Sequence, residues 1–223
     1  MMEKKLLVVA PHPDDELLGC GGTLLRRRSE GWDVAWLIVT GMSEHFGWSS
    51  SRTSERLSEI DRVAEAVGFS RVYNLGLPAA HLDSLDLADI VGAMSSVFQE
   101  YQPTEVLLPH RGDVHSDHRI VFDAGCACSK WFRYPSIRRV LSYETPSETE
   151  ACLNPEGTFR PTVFVDIANH LERKLELLSI YNSEMGDHPF PRSTAAIRAL
   201  AQWRGASAGY SAAEAFELLR ERA

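Results

Sequence analysis

The sequence predicts an α/β fold: a Rossmann-like, mostly parallel sheet with helices on both faces. Two observations lead there. Short apolar runs alternate with longer amphipathic stretches along the chain, the pattern of βαβ units. The first run is apolar throughout, as expected of a strand buried on both faces. Ligands of such open sheets bind outside the carboxyl ends of the strands, so the segments after strands one to four matter most.

Residues 6–10 read as the first strand, and 16–30 as a helix with Leu17, Leu18, Leu24 and Leu25 on its apolar side. Residues 34–40 are rich in β-branched and aromatic side chains and make a second strand. A helix over 53–67 is ended by Gly68, and 71–75 is the third strand. A helix over 85–100 is stopped by Pro103, and 105–108 is the fourth strand. A helix runs from about 118 to 132, and 138–143 and 162–167 are strands five and six. Segments 171–181, 194–204 and 212–222 read as helices. The Pro/Glu/Thr-rich stretch 145–160 reads as a surface excursion, so residues 1–223 are expected to form a single domain.

Lys and Arg number 23 against 31 Asp and Glu, a net charge of −8. An acidic chain lacks the basic face that non-specific nucleic-acid binding needs, so no nucleic-acid partner is expected. The one basic run, Arg26-Arg27-Arg28, reads as a solvated helix end. The four cysteines include no Cys-x-x-Cys pair, and Cys126 and Cys128 read as small buried thiols. The apolar run 6–10 stops at Pro11-His12, too short for a signal-peptide core of about 7–15 residues. Run 34–39 is far below the ~20 residues that span a bilayer. A cytoplasmic protein is expected, with no membrane span. The oligomeric state is left open, a homo-oligomer included.

The two densest His/carboxylate clusters are Pro11-His12-Pro13-Asp14-Asp15-Glu16 after strand one and Asp113-Val114-His115-Ser116-Asp117-His118 after strand four. At a switch point these strands are neighbours, so their loops face each other across one crevice. Two histidines and one carboxylate suit a catalytic zinc with one open position, although iron(II) also accepts them. His12 and His118 can offer nitrogens. Of the adjacent Asp14 and Asp15, one can bind metal while the other takes a proton from water acidified by the metal. His115 lies three residues before His118, on the same helical face, free to act as acid or to stabilise an oxyanion. An Asp-Asp-Glu run alone would be an ordinary helix N-terminus, complementing the helix dipole. Two such clusters at one sheet edge make a metal site the better reading.

The stretch from Val9 to Thr23, with Pro11-His12-Pro13-Asp14-Asp15-Glu16 at its centre, resembles the signature of the LmbE-like, or PIG-L, family of zinc-dependent N-deacetylases. Asp113-x-His115-x-Asp117-His118 resembles the family's second motif. Arg56-x-x-Glu59, Leu75-Gly76-Leu77-Pro78 and Arg204-Gly205…Ala213-Glu214-Ala215-Phe216 extend the likeness over nearly the whole chain. The resemblance implies hydrolysis of the acetamide of an N-acetylglucosamine-type sugar conjugate. It implies His12, Asp15 and His118 as ligands of Zn2+ (Fe2+ or another divalent metal being the alternative), Asp14 as general base and His115 as oxyanion stabiliser or acid. Asp117 would orient a metal-bound histidine from behind, and Arg56 would help hold substrate. Relatives often carry Asp after the Leu-Gly-Leu-Pro turn where this chain has Ala79, so His81 or Asp83 is expected to substitute. Glu184 stands where many relatives have Gln. Both departures bear on substrate choice. Competing readings are an amidase on a non-sugar or thiol-conjugate amide, and a metal-binding protein without turnover.

Two further motifs carry no chemistry. Gly205-Ala206-Ser207-Ala208-Gly209 matches the nucleophile elbow of α/β-hydrolases, but it follows a helix and no His or Asp lies beyond Ser207. Gly19-Cys20-Gly21-Gly22 lies inside a helix after an acidic turn, where a pyrophosphate would be repelled; close helix–strand packing explains it better. His45 and Trp48 follow strand two and are candidates for a lid or sugar platform. His110, at the end of strand four, is a candidate for contact behind the metal.

Overall fold

A computed structural model describes residues 3–223. Seven strands form one sheet in the order β3-β2-β1-β4-β5-β7-β6. They are β1 (Lys5–Ala10), β2 (Asp33–Gly41), β3 (Arg71–Pro78), β4 (Glu105–Pro109), β5 (Arg139–Tyr143), β6 (Val163–Asp166) and β7 (Ala213–Glu221). Strands β1 to β5 pair in parallel; β7 pairs antiparallel with both β5 and β6. The helices are α1 (Asp15–Ser29), α2 (Ser50–Val67), α3 (Leu87–Tyr101), α4 (Ser116–Ala127), α5 (Leu171–Leu178) and α6 (Thr194–Ala206).

The period-2 geometry of a strand sorts its side chains onto the two faces. Leu6, Val8 and Ala10 of β1 join Leu17, Leu24, Val63, Leu178 and Ile197 in one core, under α1, α2, α5 and α6. Leu7 and Val9 join Met94, Phe98, Val121 and Ala124 in the other, under α3 and α4. Both faces are covered, which is why β1 carries no polar residue between Leu6 and Ala10.

The glycines of α1 are packing devices. A methyl group at Gly19 would fall 2.2 Å from Tyr143 Cδ2, and one at Gly22 would fall 2.8 Å from Ile167. The helix breaks at Cys20 (φ −143°, ψ 17°) as it passes over the sheet.

Three expectations from the sequence are corrected. The segment 212–222 is the strand β7, not a helix. Its Ala, Glu, Leu and Arg residues favour a helix locally, but hydrogen bonding to strands on both sides overrides that preference. The helix expected over 118–132 ends at Ala127, where the Ser129 hydroxyl donates back to the Gly125 carbonyl at 2.8 Å and competes for the last acceptors. Cys128 is buried as expected, but Cys126 is exposed, on the outer side of α4.

Strand β1 lies between β2 and β4, and the chain reverses its direction of growth across the sheet there. The segments leaving Ala10 and Pro109 therefore border one crevice, the topological switch point.

Candidate active site

The crevice is a cavity of about 300 Å3 whose lining includes His12, Asp14, Trp48, Arg56, His115 and Arg192. Asp15, in the first turn of α1, points under it. Its Oδ2 lies 3.3 Å from His12 Nδ1 and 3.3 Å from His118 Nε2. A tetrahedral zinc with bonds of about 2.0–2.1 Å puts neighbouring ligand atoms about 3.3 Å apart. Asp15 Oδ1 is buried without a hydrogen-bond partner among the described residues, which leaves it a lone pair to give to a cation. The far nitrogen of each histidine meets a carboxylate: His12 Nε2 lies 3.1 Å from Asp117 Oδ2, and His118 Nδ1 lies 2.7 Å from Asp113 Oδ2. Carboxylates behind imidazoles are the usual support of a metal-bound histidine. His12, Asp15 and His118 thus fit a divalent cation.

The base candidate sits in a strained backbone. Asp14 has φ 141° and ψ −29°, a region that residues with a Cβ rarely enter. The Pro13–Asp14 peptide is gripped at both ends. The Pro13 carbonyl accepts from Arg56 Nη1 at 2.9 Å, and the Asp14 amide donates to Glu16 Oε2 at 3.0 Å. Glu16 is fully buried, and its Oε1 accepts from the Tyr181 hydroxyl at 3.0 Å. The Arg56 guanidinium lies over the Tyr181 ring, 5.3 Å from its centroid. The Asp14 carboxylate itself pairs with Arg192 Nη1 at 2.7 Å.

Burial and the neighbouring Asp15 charge raise the Asp14 pKa to about 7, against the pull of Arg192 and His12. Burial opposes charging of His12 and His118, but their carboxylate partners outweigh it and take them to about 9 and about 10. Burial also disfavours the Asp15 charge, yet the charge and hydrogen bond of His118 hold its pKa well below the ordinary value. His115 goes the other way, down to about 4, through burial and the charge of His12. It is therefore neutral near pH 7. Its Nδ1 accepts from the Asp117 amide at 3.2 Å, which leaves the ring proton on Nε2.

Residues 7–129 match the sequence profile described as PIG-L, GlcNAc-PI de-N-acetylase. The chain belongs to the PIG-L family. One PIG-L relative, a diacetylchitobiose deacetylase of Thermococcus kodakarensis, is 27% identical over 95% of this chain and 81% of its own length. Another, a probable N-acetyl-alpha-D-glucosaminyl L-malate deacetylase of Bacillus cereus, is 30% identical over 52% of this chain and 57% of its own. A conserved protein of Thermus thermophilus superposes with a TM-score of 0.77 at 26% identity, covering 100% of this chain and 97% of that one.

The expected PIG-L residues are brought together unevenly. His12, Asp15 and His118 converge, Asp14 and His115 border them, and Asp117 backs His12. Arg56 lines the cavity, but its contacts are with protein groups. His81 and Asp83 are exposed and do not line it; Ala79 and Ala80 do. The Ala80 and Leu82 amides donate to Asp117, and Leu82 takes the buried side of this short segment, which leaves His81 and Asp83 on the exposed side. Trp48 lines the cavity, whereas His45 is exposed and packs on Phe46. His110 bonds Glu217 and the Gly157 carbonyl, away from both metal-site histidines.

Sequence reasoning assigned no role to Asp113, Glu148 or Arg192. Asp113 had a signal, five residues before His118 in the same motif. Arg192 had none, since 178 residues separate it from Asp14.

Proposed function

We propose that this chain is a zinc-dependent hydrolase that removes the acetyl group from an N-acetylglucosamine-type sugar conjugate, acting as one domain over residues 1–223. The observation that carries this reading is the Asp15 carboxylate, 3.3 Å from a nitrogen of His12 and of His118, with Asp14 and His115 beside it. The donor set suits zinc and also admits iron(II). A cation held there would polarise the acetamide carbonyl and lower the pKa of water.

The chain's own groups do the rest. Asp14 accepts the proton released as the water oxygen bonds to the acetyl carbon. His115 donates its Nε2 hydrogen to the oxygen on which negative charge develops. The C–N bond then breaks, Asp14 returns the proton to the departing nitrogen, and acetic acid, which ionises to acetate, leaves with the amine. Asp117 and Asp113 keep the two ligand imidazoles oriented. Trp48, which lines the cavity, is the aromatic residue we assign to the sugar. The names of the Thermococcus and Bacillus relatives, both deacetylases of N-acetylated sugars, support the substrate class.

A second reading, an amidase on a non-sugar amide, draws on Ala79 and Ala80, which present no polar group to sugar hydroxyls. Metal content and amine release from a panel of N-acetyl sugars and non-sugar amides test both. Expected are one zinc per chain in wild type and Asp14→Ala, amine released from sugars by wild type alone, and loss of both metal and turnover in His118→Ala. Metal and rate retained in His118→Ala would overturn the ligand assignment. Release from non-sugar amides alone would favour the second reading.

A further inference from the structure

Two arginines line the cavity, and neither is available to a ligand. Arg192 gives Nη1 to Asp14 at 2.7 Å, Nη2 to Glu148 at 3.3 Å and Nε to the Ser147 hydroxyl at 2.8 Å. Arg56 gives Nη1 to the Pro13 carbonyl, pairs through Nε with Glu59 at 3.2 Å and through Nη2 with Glu184. Glu184 is the common partner. Its Oε2 also lies 3.7 Å from Arg192 Nη1, and its Oε1 lies 3.9 Å from Arg52 Nη2 at the rim. Three guanidinium groups from α2 and the segment before α6 thus converge on one carboxylate, itself part of the cavity wall.

Convergent guanidinium groups are what a carboxylate or phosphate of a substrate would seek. Here the protein supplies that anion itself. A substrate anion would have to displace Glu184 and then lie near Asp14 and Glu148, two further acidic side chains of the same cavity. Like charges so placed are a device of specificity: they reject the wrong ligand more than they help the right one.

We infer that this cavity takes an N-acetyl sugar with an uncharged remainder, such as a second sugar, and that Glu184 excludes conjugates bearing a carboxylate or phosphate. This rests on the deacetylase reading above and adds the charge of the substrate to it.

The test compares kcat/KM for N,N'-diacetylchitobiose and N-acetylglucosaminyl L-malate, using metal-loaded wild type and Glu184→Gln. Wild type is expected to favour the uncharged substrate by about tenfold or more, and Glu184→Gln to shrink that preference by about tenfold. Preference of wild type for the malate conjugate, or a ratio unmoved by Glu184→Gln, would overturn the inference. Absence of turnover on both substrates in wild type would instead overturn the deacetylase reading itself. Calorimetric binding of free L-malate gives an answer independent of turnover: tighter binding in Glu184→Gln supports the inference, and unchanged binding refutes it.

Discussion

Glu16 holds the backbone of Asp14: its Oε2 accepts the Asp14 amide at 3.0 Å and keeps that residue at φ 141°. The side chain proposed as the general base is thus aimed by its second neighbour in sequence. Arg56 fixes the other end of the same peptide through the Pro13 carbonyl.

Replacing Glu16 by Ala leaves the Asp14 amide and the Tyr181 hydroxyl unpaired in the interior. The stability cost is about 1–3 kcal/mol. Freed of its clamp, Asp14 relaxes out of position, and kcat per metal-loaded chain is expected to fall about 100-fold. Burial, reinforced by the Asp14 charge, raises the Glu16 pKa well above the ordinary value, which favours the neutral acid. Glu16→Gln can keep the amide clamp through its Oε1 while its NH2 donates to the Tyr181 oxygen in place of the present bond, and should keep most of the rate. Steady-state kinetics beside metal content decides; equal kcat in Glu16→Ala and wild type would refute the clamp.

Asp113 accepts from His118 Nδ1 at 2.7 Å and is itself held by the Thr149 hydroxyl at 2.6 Å. Losing such a support weakens metal affinity by about 10–100-fold. Asp113→Ala should show this in competition with a chelator of known affinity. Wild-type affinity in that variant would show that His118 needs no such support.

Metal binding should depend steeply on pH. His12 and His118, raised to about 9 and about 10, are both protonated at neutrality in the metal-free protein. A cation must displace both protons, so apparent affinity should climb by up to about 100-fold per pH unit below pH 9. A pH-independent affinity would contradict this.

Stability of the metal-free protein follows with a definite sign. Both histidines bind protons more tightly folded than unfolded. Their contribution is complete below their ordinary value of 6.5 and is lost as pH rises through about 9 to 10. Asp14, raised from 3.8 to about 7, adds a fall in the same direction at lower pH. Chelator-treated protein should therefore lose Tm from pH 7 to 10, and metal-loaded protein should lose less over that range. Equal slopes would refute the assignment.

Gly19→Ala should be costly although alanine favours helices. The methyl would lie 2.2 Å from Tyr143 Cδ2 and 2.9 Å from the Glu144 carbonyl oxygen. Tyr143 cannot easily yield, because its hydroxyl donates to the Val9 carbonyl at 2.8 Å. Overpacking of this kind costs about 1–3 kcal/mol. Urea denaturation measures it, and an unchanged midpoint would argue against close packing there.

What the sequence displayed and what it hid have one physical division. The apolar runs of β1, β2 and β4 and the motifs that follow β1 and β4 are local patterns, so strands, crevice and the cluster around His12 and His118 were legible. The state of β7 depends on β5 and β6, far away in sequence, and its own composition points to a helix. The partners of Asp14 and Arg56, namely Arg192 and Glu184, arrive from a distant segment with no periodic signature. His81 and Asp83 looked near the site by sequence, but Leu82 between them takes the buried position and both are exposed.

The late strand β7 also orders assembly in time. Glu214 on it accepts from the Gly22 and Thr23 amides at 2.8 and 2.7 Å and from Lys174 Nζ at 2.7 Å. During synthesis β1 to β4, with both loops that border the crevice, emerge well before the strand that joins β6 to the sheet. Until β7 threads between β5 and β6, the Lys174 ammonium lacks its carboxylate partner, and the Gly22 and Thr23 amides lack their acceptor. Pairings this far apart in sequence close slowly. The nascent chain can thus assemble the parallel half of its sheet early, while two buried amides of α1, the helix that carries Asp15, wait for a carboxylate on a strand that follows β6 in sequence.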